Sequence, residues 1–165
     1  MIEAYIAAGS NVRPRENLRA ALAALGREFP GLRASRAYRN AAVGFEGEDF
    51  VNLAVAIATD LPPAALLERL KAIEHAAGRG SGGHKWGPRT LDLDLLLYGD
   101  LAGTFGAARL PHPDIETRAW VLGPLAEIAP SLVHPVLGNT IEQLWRRLDR
   151  TAHPLEPIAL EDNHA

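Results

Sequence analysis

Hydrophobic and polar positions alternate between two periods along this chain, and the switches between them predict its elements. Glu3 to Ala8 is short and apolar and stops at Gly9-Ser10-Asn11, the pattern of a strand ending in a turn. Pro14 then suits a first helical turn, and Leu18, Ala21, Leu22 and Leu25 recur at helical spacing until Gly26. Leu32 to Arg39 and Phe50 to Thr59 read as two further strands, joined by a loop over Asn40 to Asp49 rich in glycine and small residues. Pro62 and Pro63 open a second helix in which Leu66, Leu67, Leu70, Ile73 and Glu74 keep the 3.6-residue period as far as Gly78. A glycine-rich loop, GRGSGGHKWGPR, leads into the strand TLDLDLLLY, closed by Gly99-Asp100.

The order βαββαβ predicts an α+β fold: a mostly antiparallel sheet with helices packed on one face, and not a doubly wound fold. A third helix is expected from near Ile115 through Leu125, Ala126 and Ile128 to the break at Pro130, beginning a C-terminal helical extension. Residues 1–150 read as one domain, and the tail from Thr151 as loosely ordered.

Composition narrows the chemistry. The chain has 165 residues, 47% of them hydrophobic, enough for one core without a staple. It has no cysteine, which excludes disulfides, thiolate metal sites and a cysteine nucleophile. A formal net charge of -3 argues against a general nucleic-acid binder. The N-terminus does not read as a secretory signal, and no apolar run approaches the roughly 20 residues of a membrane span, so a cytoplasmic location is expected. No large apolar stripe is evident, which predicts a monomer.

The least ordinary charge pattern is a cationic loop running into paired carboxylates. Arg79, Lys85 and Arg89, with His84 among them, precede Asp92 and Asp94 without an intervening acid. On a strand, positions i and i+2 share a face, so the two acids project together about 6.5 to 7 Å apart, with Leu91, Leu93 and Leu95 opposite. Such a pair can hold one or two Mg²⁺ ions together with waters and phosphates, or can be an ordinary solvated strand face. Trp86-Gly87-Pro88-Arg89 places an aromatic and an arginine in a tight loop at the strand's mouth; taken singly Arg79 and Arg89 read as ordinary surface residues, and only as a cluster with the acids do they read as a phosphoryl-transfer set. The glycines at 78, 80, 82, 83 and 87 are either a loose surface loop or a lid; the arrangement is not a Walker A loop. Pro111-His112-Pro113 is a rigid corner bearing an imidazole, ahead of a helix containing Arg118. Asn52, polar within an apolar strand and on the same face as Phe50, either satisfies a neighbour or reads the edge of a flat heterocycle.

These residues resemble the 6-hydroxymethyl-7,8-dihydropterin pyrophosphokinase family. The resemblance runs from Tyr5-Ile6-Ala7-Ala8-Gly9-Ser10-Asn11 to Pro124-Leu125-Ala126-Glu127-Ile128-Ala129-Pro130, and its most specific parts are Trp86-Gly87-Pro88-Arg89-Thr90-Leu91-Asp92-Leu93-Asp94, Leu110-Pro111-His112-Pro113 and Arg118. It implies a ferredoxin-like core and transfer of the β,γ-pyrophosphoryl unit of ATP to the hydroxymethyl oxygen of a reduced pterin, releasing AMP. Asp92 and Asp94 would be the Mg²⁺ ligands, with two ions, and Arg79 and Arg89 the phosphate clamp. Glu74, Trp86, Arg89, His112 and Arg118 would match nucleotide-site positions, and Val43, Phe50, Asn52 and Trp120 pterin-pocket positions. The chain departs from the family's pattern at Asn40-Ala41-Ala42-Val43-Gly44, where Thr and Pro are frequent, and at Ser81-Gly82-Gly83, where some members carry an arginine. A further nucleotide contact falls near Ala107, with Arg109 the nearest cation. Two other readings stand beside the pyrophosphokinase: a pterin- or nucleotide-binding homologue without efficient transfer, which the loop departure favours, and a sister enzyme acting on a modified pterin.

Overall fold

The computed structural model describes residues 1–40, 49–78, 91–149, 151 and 154–161. The elements run β1 (Ile2–Ser10), α1 (Pro14–Glu28), β2 (Arg33–Ala34), β3 (Ala37–Asn40), β4 (Phe50–Thr59), α2 (Pro63–Ala76), β5 (Asp92–Tyr98), β6 (Gly103–Phe105), β7 (Ala108–Leu110), α3 (Asp114–Thr117), α4 (Ala119–Ile128), α5 (Ile141–Arg147) and β8 (Glu156–Ile158). The main sheet has the order β5-β1-β4-β3-β8, with β2 also on β4, and every described pairing is antiparallel.

The alternation in FVNLAVAIAT accounts for the two faces. Val51, Leu53, Val55 and Ile57 enter one cluster with Leu18 and Leu25 of α1 and Leu66 and Leu70 of α2. Ala54 and Ala56, on the other face, join Tyr5, Leu97 and the α4 residues Val121, Leu122 and Leu125. Small side chains there let α4 lie close to β4, whereas the first face is filled by branched aliphatics. Helices therefore cover both faces: α1 and α2 pack on one, as predicted, and the C-terminal helices take the other.

The third helix is split at Arg118, whose extended backbone (φ -111°, ψ 112°) ends α3 and begins α4. The apolar period runs through this break, so periodicity alone reads it as continuous. Likewise the strand predicted over Leu32 to Arg39 is two strands, β2 and β3, both paired with β4. Where the sequence predicts a loosely ordered tail, residues 154–161 carry β8, which pairs with β3 through Ala37, Tyr38 and Arg39. Arg39 and Glu156 form an ion pair at 3.1 Å, and the Arg15 and Arg19 side chains donate to the carbonyls of Ala159 and Leu160.

α4 is fixed to β3 by polar contacts as well as packing. Glu127 accepts from the Tyr38 hydroxyl, the Arg36 backbone N–H (2.7 Å) and the Arg36 guanidinium (3.1 Å). Burial pushes the Glu127 carboxyl up, but these donors outweigh it and hold it below its ordinary range. Beyond α4, buried His134 organises the turn before α5 by accepting from the backbone N–H groups of Val136 and Leu137 at Nδ1.

Candidate active site

The two acids of β5 stand on the face that the strand period predicts. Leu91, Leu93 and Leu95 enter the first-face cluster, while Asp92 pairs in register with Gly9 and Asp94 with Ala7 on the opposite face. Directly opposed residues of antiparallel strands project to the same side. Because those partners are glycine and alanine, room is left above the carboxylates. Two oxygen-ligand side chains with small neighbours suit Mg²⁺, which takes a few carboxylates and completes its shell with water and phosphate. No group of three or more histidine, aspartate or glutamate side chains placed to hold a metal occurs among the described residues.

The same rows continue across the sheet. Gly9 is opposed by Asp92 on one side and Asn52 on the other, and Asn52 by Tyr38, so one transverse row reads Asp92, Gly9, Asn52, Tyr38. Two strand spacings put Asp92 and Asn52 about 10 Å apart, with only a glycine between them. A Cβ at position 9 would lie 2.6 Å from Asn52 Oδ1, so the close approach of this amide requires glycine. Phe50 shares this face two residues along, and Trp120 packs partly buried against the α4 cluster of the same face.

Outside β5 lies a cleft of about 610 Å³, bounded by α2, the β6–β7 hairpin and the His112 corner. As an edge strand, β5 turns one row of its backbone groups toward the cleft. Glu74 of α2 accepts the Leu93 N–H at 2.6 Å, placing its carboxylate beside the strand between the two aspartates. A bulge between Tyr5 and Ile6 of β1 leaves Leu96 without a register partner, and its carbonyl accepts the His112 N–H at 2.9 Å. The His112 ring accepts the Asp114 N–H at Nδ1 (3.1 Å), so a neutral ring carries its proton on Nε2. The Leu110–Pro111 peptide bond is cis.

Of the residues singled out by sequence, Glu74, Asp92, Asp94 and His112 line this cleft, and Phe50 and Asn52 lie on the adjoining sheet face. Arg118 is exposed and stands 5.4 Å from the centroid of the Trp120 ring, outside the lining. Arg79, Trp86, Arg89 and Val43 fall outside the described residues. The cleft also includes Lys71 and His75 of α2 and Arg109 of β7. Helical spacing from Leu67 and Glu74 is the signal for the first two: positions 67, 71, 74 and 75 share one side of α2.

A family model for 7,8-dihydro-6-hydroxymethylpterin-pyrophosphokinase matches residues 5–130. The chain belongs to that family. A 2-amino-4-hydroxy-6-hydroxymethyldihydropteridine pyrophosphokinase of a Synechocystis species is 43% identical over 152 residues, covering 90% of this chain and 77% of the relative. The enzymes of the same name from Methylorubrum extorquens and Bacillus subtilis are 39% and 43% identical, covering 90% and 87% of this chain and 95% and 90% of theirs. A crystal structure of Plasmodium falciparum HPPK-DHPS superposes with a TM-score of 0.70 at 16% identity, covering 89% of this chain but 43% of that longer one. At that identity the likeness speaks for the fold, and it places this pyrophosphokinase's sheet and flanking helices among solved structures.

Proposed function

We propose that this pyrophosphokinase transfers the terminal pyrophosphoryl group of ATP to the hydroxymethyl oxygen of 6-hydroxymethyl-7,8-dihydropterin, a step of folate biosynthesis. The hydroxyl oxygen attacks the β-phosphorus in line, the bond from that phosphorus to the α,β-bridging oxygen breaks, and AMP leaves as the hydroxyl proton passes to solvent. Such transfer needs alignment and charge neutralisation and no covalent enzyme intermediate. Asp92 and Asp94 would hold Mg²⁺, which when bound screens the phosphate charge that repels the incoming oxygen. The polyphosphate lies along the outer edge of β5, where Lys71, Arg109 and His112 supply positive or hydrogen-bonding groups. Arg79 and Arg89 complete the clamp, and Glu74, Trp86 and Arg118 serve the nucleotide. The pterin takes the face of Phe50 and Asn52, with Val43 and Trp120 closing its pocket. The enzyme acts as a cytoplasmic monomer.

The supporting observation is the transverse row: an amide able to read a heterocycle and a carboxylate able to hold a cation face the same way, separated by Gly9. A substrate with a flat ring and a one-carbon arm spans that distance. Incubation with γ-labelled ATP, Mg²⁺ and the pterin should move label to the pterin and release AMP in equal amount. ADP as the sole nucleotide product would rule the reaction out. The departure at Asn40 to Gly44 favours, as the second reading, a binding homologue without efficient transfer, which a pterin-dependent thermal shift with no AMP release would select; a sister enzyme acting on a modified pterin is the third. Parallel assays with other 6-substituted pterins separate that one from the first by kcat/KM.

A further inference from the structure

We propose that the hollow between α4, α5 and the residues entering β8 is a second ligand site, separate from the active site, which takes a planar heteroaromatic molecule carrying amino groups and no phosphate. The cavity measures about 430 Å³, within the range of small-molecule sites, and shares no residue with the cleft along β5. It lies against the far half of α4: Glu127, in its wall, stands two turns, about 10 Å, beyond Trp120.

The walls are held by contacts within the chain itself. α5 begins with a reciprocal cap, in which the Gln143 N–H donates to Thr140 Oγ1 (3.1 Å) and the Thr140 N–H to Gln143 Oε1 (2.9 Å). The Glu142 N–H donates to the Pro130 carbonyl at 3.0 Å, which ties the start of α5 to the end of α4. The Trp145 ring and Leu155 close on α4 at Gly123, where a Cβ would lie 2.9 Å from both Trp145 Cη2 and Leu155 Cδ1. A side chain at 123 would push both away, so glycine, a poor helix former, keeps this wall together.

The lining determines what fits. The indole of Trp145 and the aliphatic surfaces of Ala126, Pro130 and Leu155 suit a ring with apolar faces. The charged groups are one cation and two carboxylates: Arg36, Glu127 and Glu142. Arg36 is committed, since its Nε donates to Glu127 at 3.1 Å and its guanidinium lies 5.5 Å from the centroid of the Tyr38 ring. Glu142 accepts from Arg146 at Oε1 (2.7 Å), which leaves Oε2 for another donor, and Glu127 Oε2 accepts only the Arg36 N–H. Those open positions call for N–H donors, and an anion would meet a net negative lining. Amino-substituted pteridines, purines and pyrimidines have this form, with apolar faces and a donor edge. Their phosphorylated derivatives do not, which sets the hollow apart from a cleft that handles polyphosphate. Two sources supply such molecules: free pterins, and nucleobases or nucleosides.

The indole Nε1–H signals of the three tryptophans in the ¹⁵N-labelled full chain, assigned with Trp86→Phe, Trp120→Phe and Trp145→Phe, separate this hollow from the active site. Titrations with 6-hydroxymethylpterin, adenosine and guanosine should shift the Trp145 signal saturably, with a Kd below about 1 mM for at least one of them. The probe with the lowest Kd identifies the source. ATP with Mg²⁺ should leave the Trp145 signal in place. Ala126→Leu, which fills the hollow, should abolish the Trp145 shift, and Glu142→Gln, which keeps the shape and removes the charge, should raise Kd about fivefold. Melting temperatures check that each variant folds; should Ala126→Leu not fold, the exposed substitution Glu142→Gln decides alone. No Trp145 shift saturating below about 1 mM with any probe, an ATP shift equal to that of adenosine, persistence in Ala126→Leu, or an unchanged Kd in Glu142→Gln would each overturn the proposal. None of these outcomes depends on AMP release, so the proposed function stands or falls separately.

Discussion

The two faces of the sheet are built from the same strands and treated differently. On the α1–α2 face the odd positions of β4, Val51 to Ile57, are all apolar and buried, and the helices cover them from end to end. On the other face the even positions are small where α4 lies across them, at Ala54 and Ala56, and change to Asn52 and Phe50 further along. Gly9, Asp92 and Asn40 sit in that second zone. A sheet face becomes a site where its covering helix stops, because there polar side chains reach solvent or a polar partner and remain held by regular strand geometry.

Disturbing each face in turn should give opposite signatures. The largest effect is expected for Asp92→Ala and Asp94→Ala, with a loss in kcat of at least about a hundredfold and an unchanged melting temperature. A comparable fall in both quantities would mean that the second face is as structural as the first. Leu53→Ala, adjacent in sequence to Asn52 but on the filled face at 1% exposure, should cost about 2–5 kcal/mol of stability. Its kinetic constants, measured where the protein is folded, should match wild type; an altered pterin KM would show that the faces are coupled through β4.

A smaller effect sharpens the same contrast through the support of α4. Burial holds the His134 imidazole below its ordinary value of 6.5, opposed in part by the Glu116 carboxylate, so the folded state favours the neutral ring. A group with a depressed folded value contributes stability that is complete above pH about 6.5 and is lost as pH falls through the folded value. Thermal melts should therefore drop by roughly 2–4 °C between neutral and mildly acid pH. His134→Asn, which keeps an acceptor for the turn but cannot titrate, should flatten that slope. An undiminished slope would show that groups other than His134 carry it.

Much of the plan was readable in the residues because it depends on local periods. The alternation of β4 and β5 assigns each side chain to a face, and prolines at 14 and 63 mark where α1 and α2 begin. The family resemblance supplied roles for residues whose chemistry leaves two readings open, as with the aspartates. Features set by distant partners were not readable. The interruption at Arg118 falls inside an unbroken apolar period, and β8 is too short to carry a period. Lys71 and His75 look like a solvated helix side until β5 and the hairpin stand beside them. The Asn40–Asn52 bond joins residues separated by a loop, so neither asparagine reveals it alone.

Pro157 has a consequence for how this molecule keeps to itself. Were β3 the outermost strand, its free amides and carbonyls would offer a template to any extended peptide, beside the face proposed for the pterin. The last strand covers that margin with three residues and puts a ring lacking an amide hydrogen at their centre, opposite Tyr38. At the far margin the Glu74 carboxylate occupies the Leu93 amide. Both selvedges of the fabric are hemmed, and shortening the chain before Leu155 would unpick the one along β3.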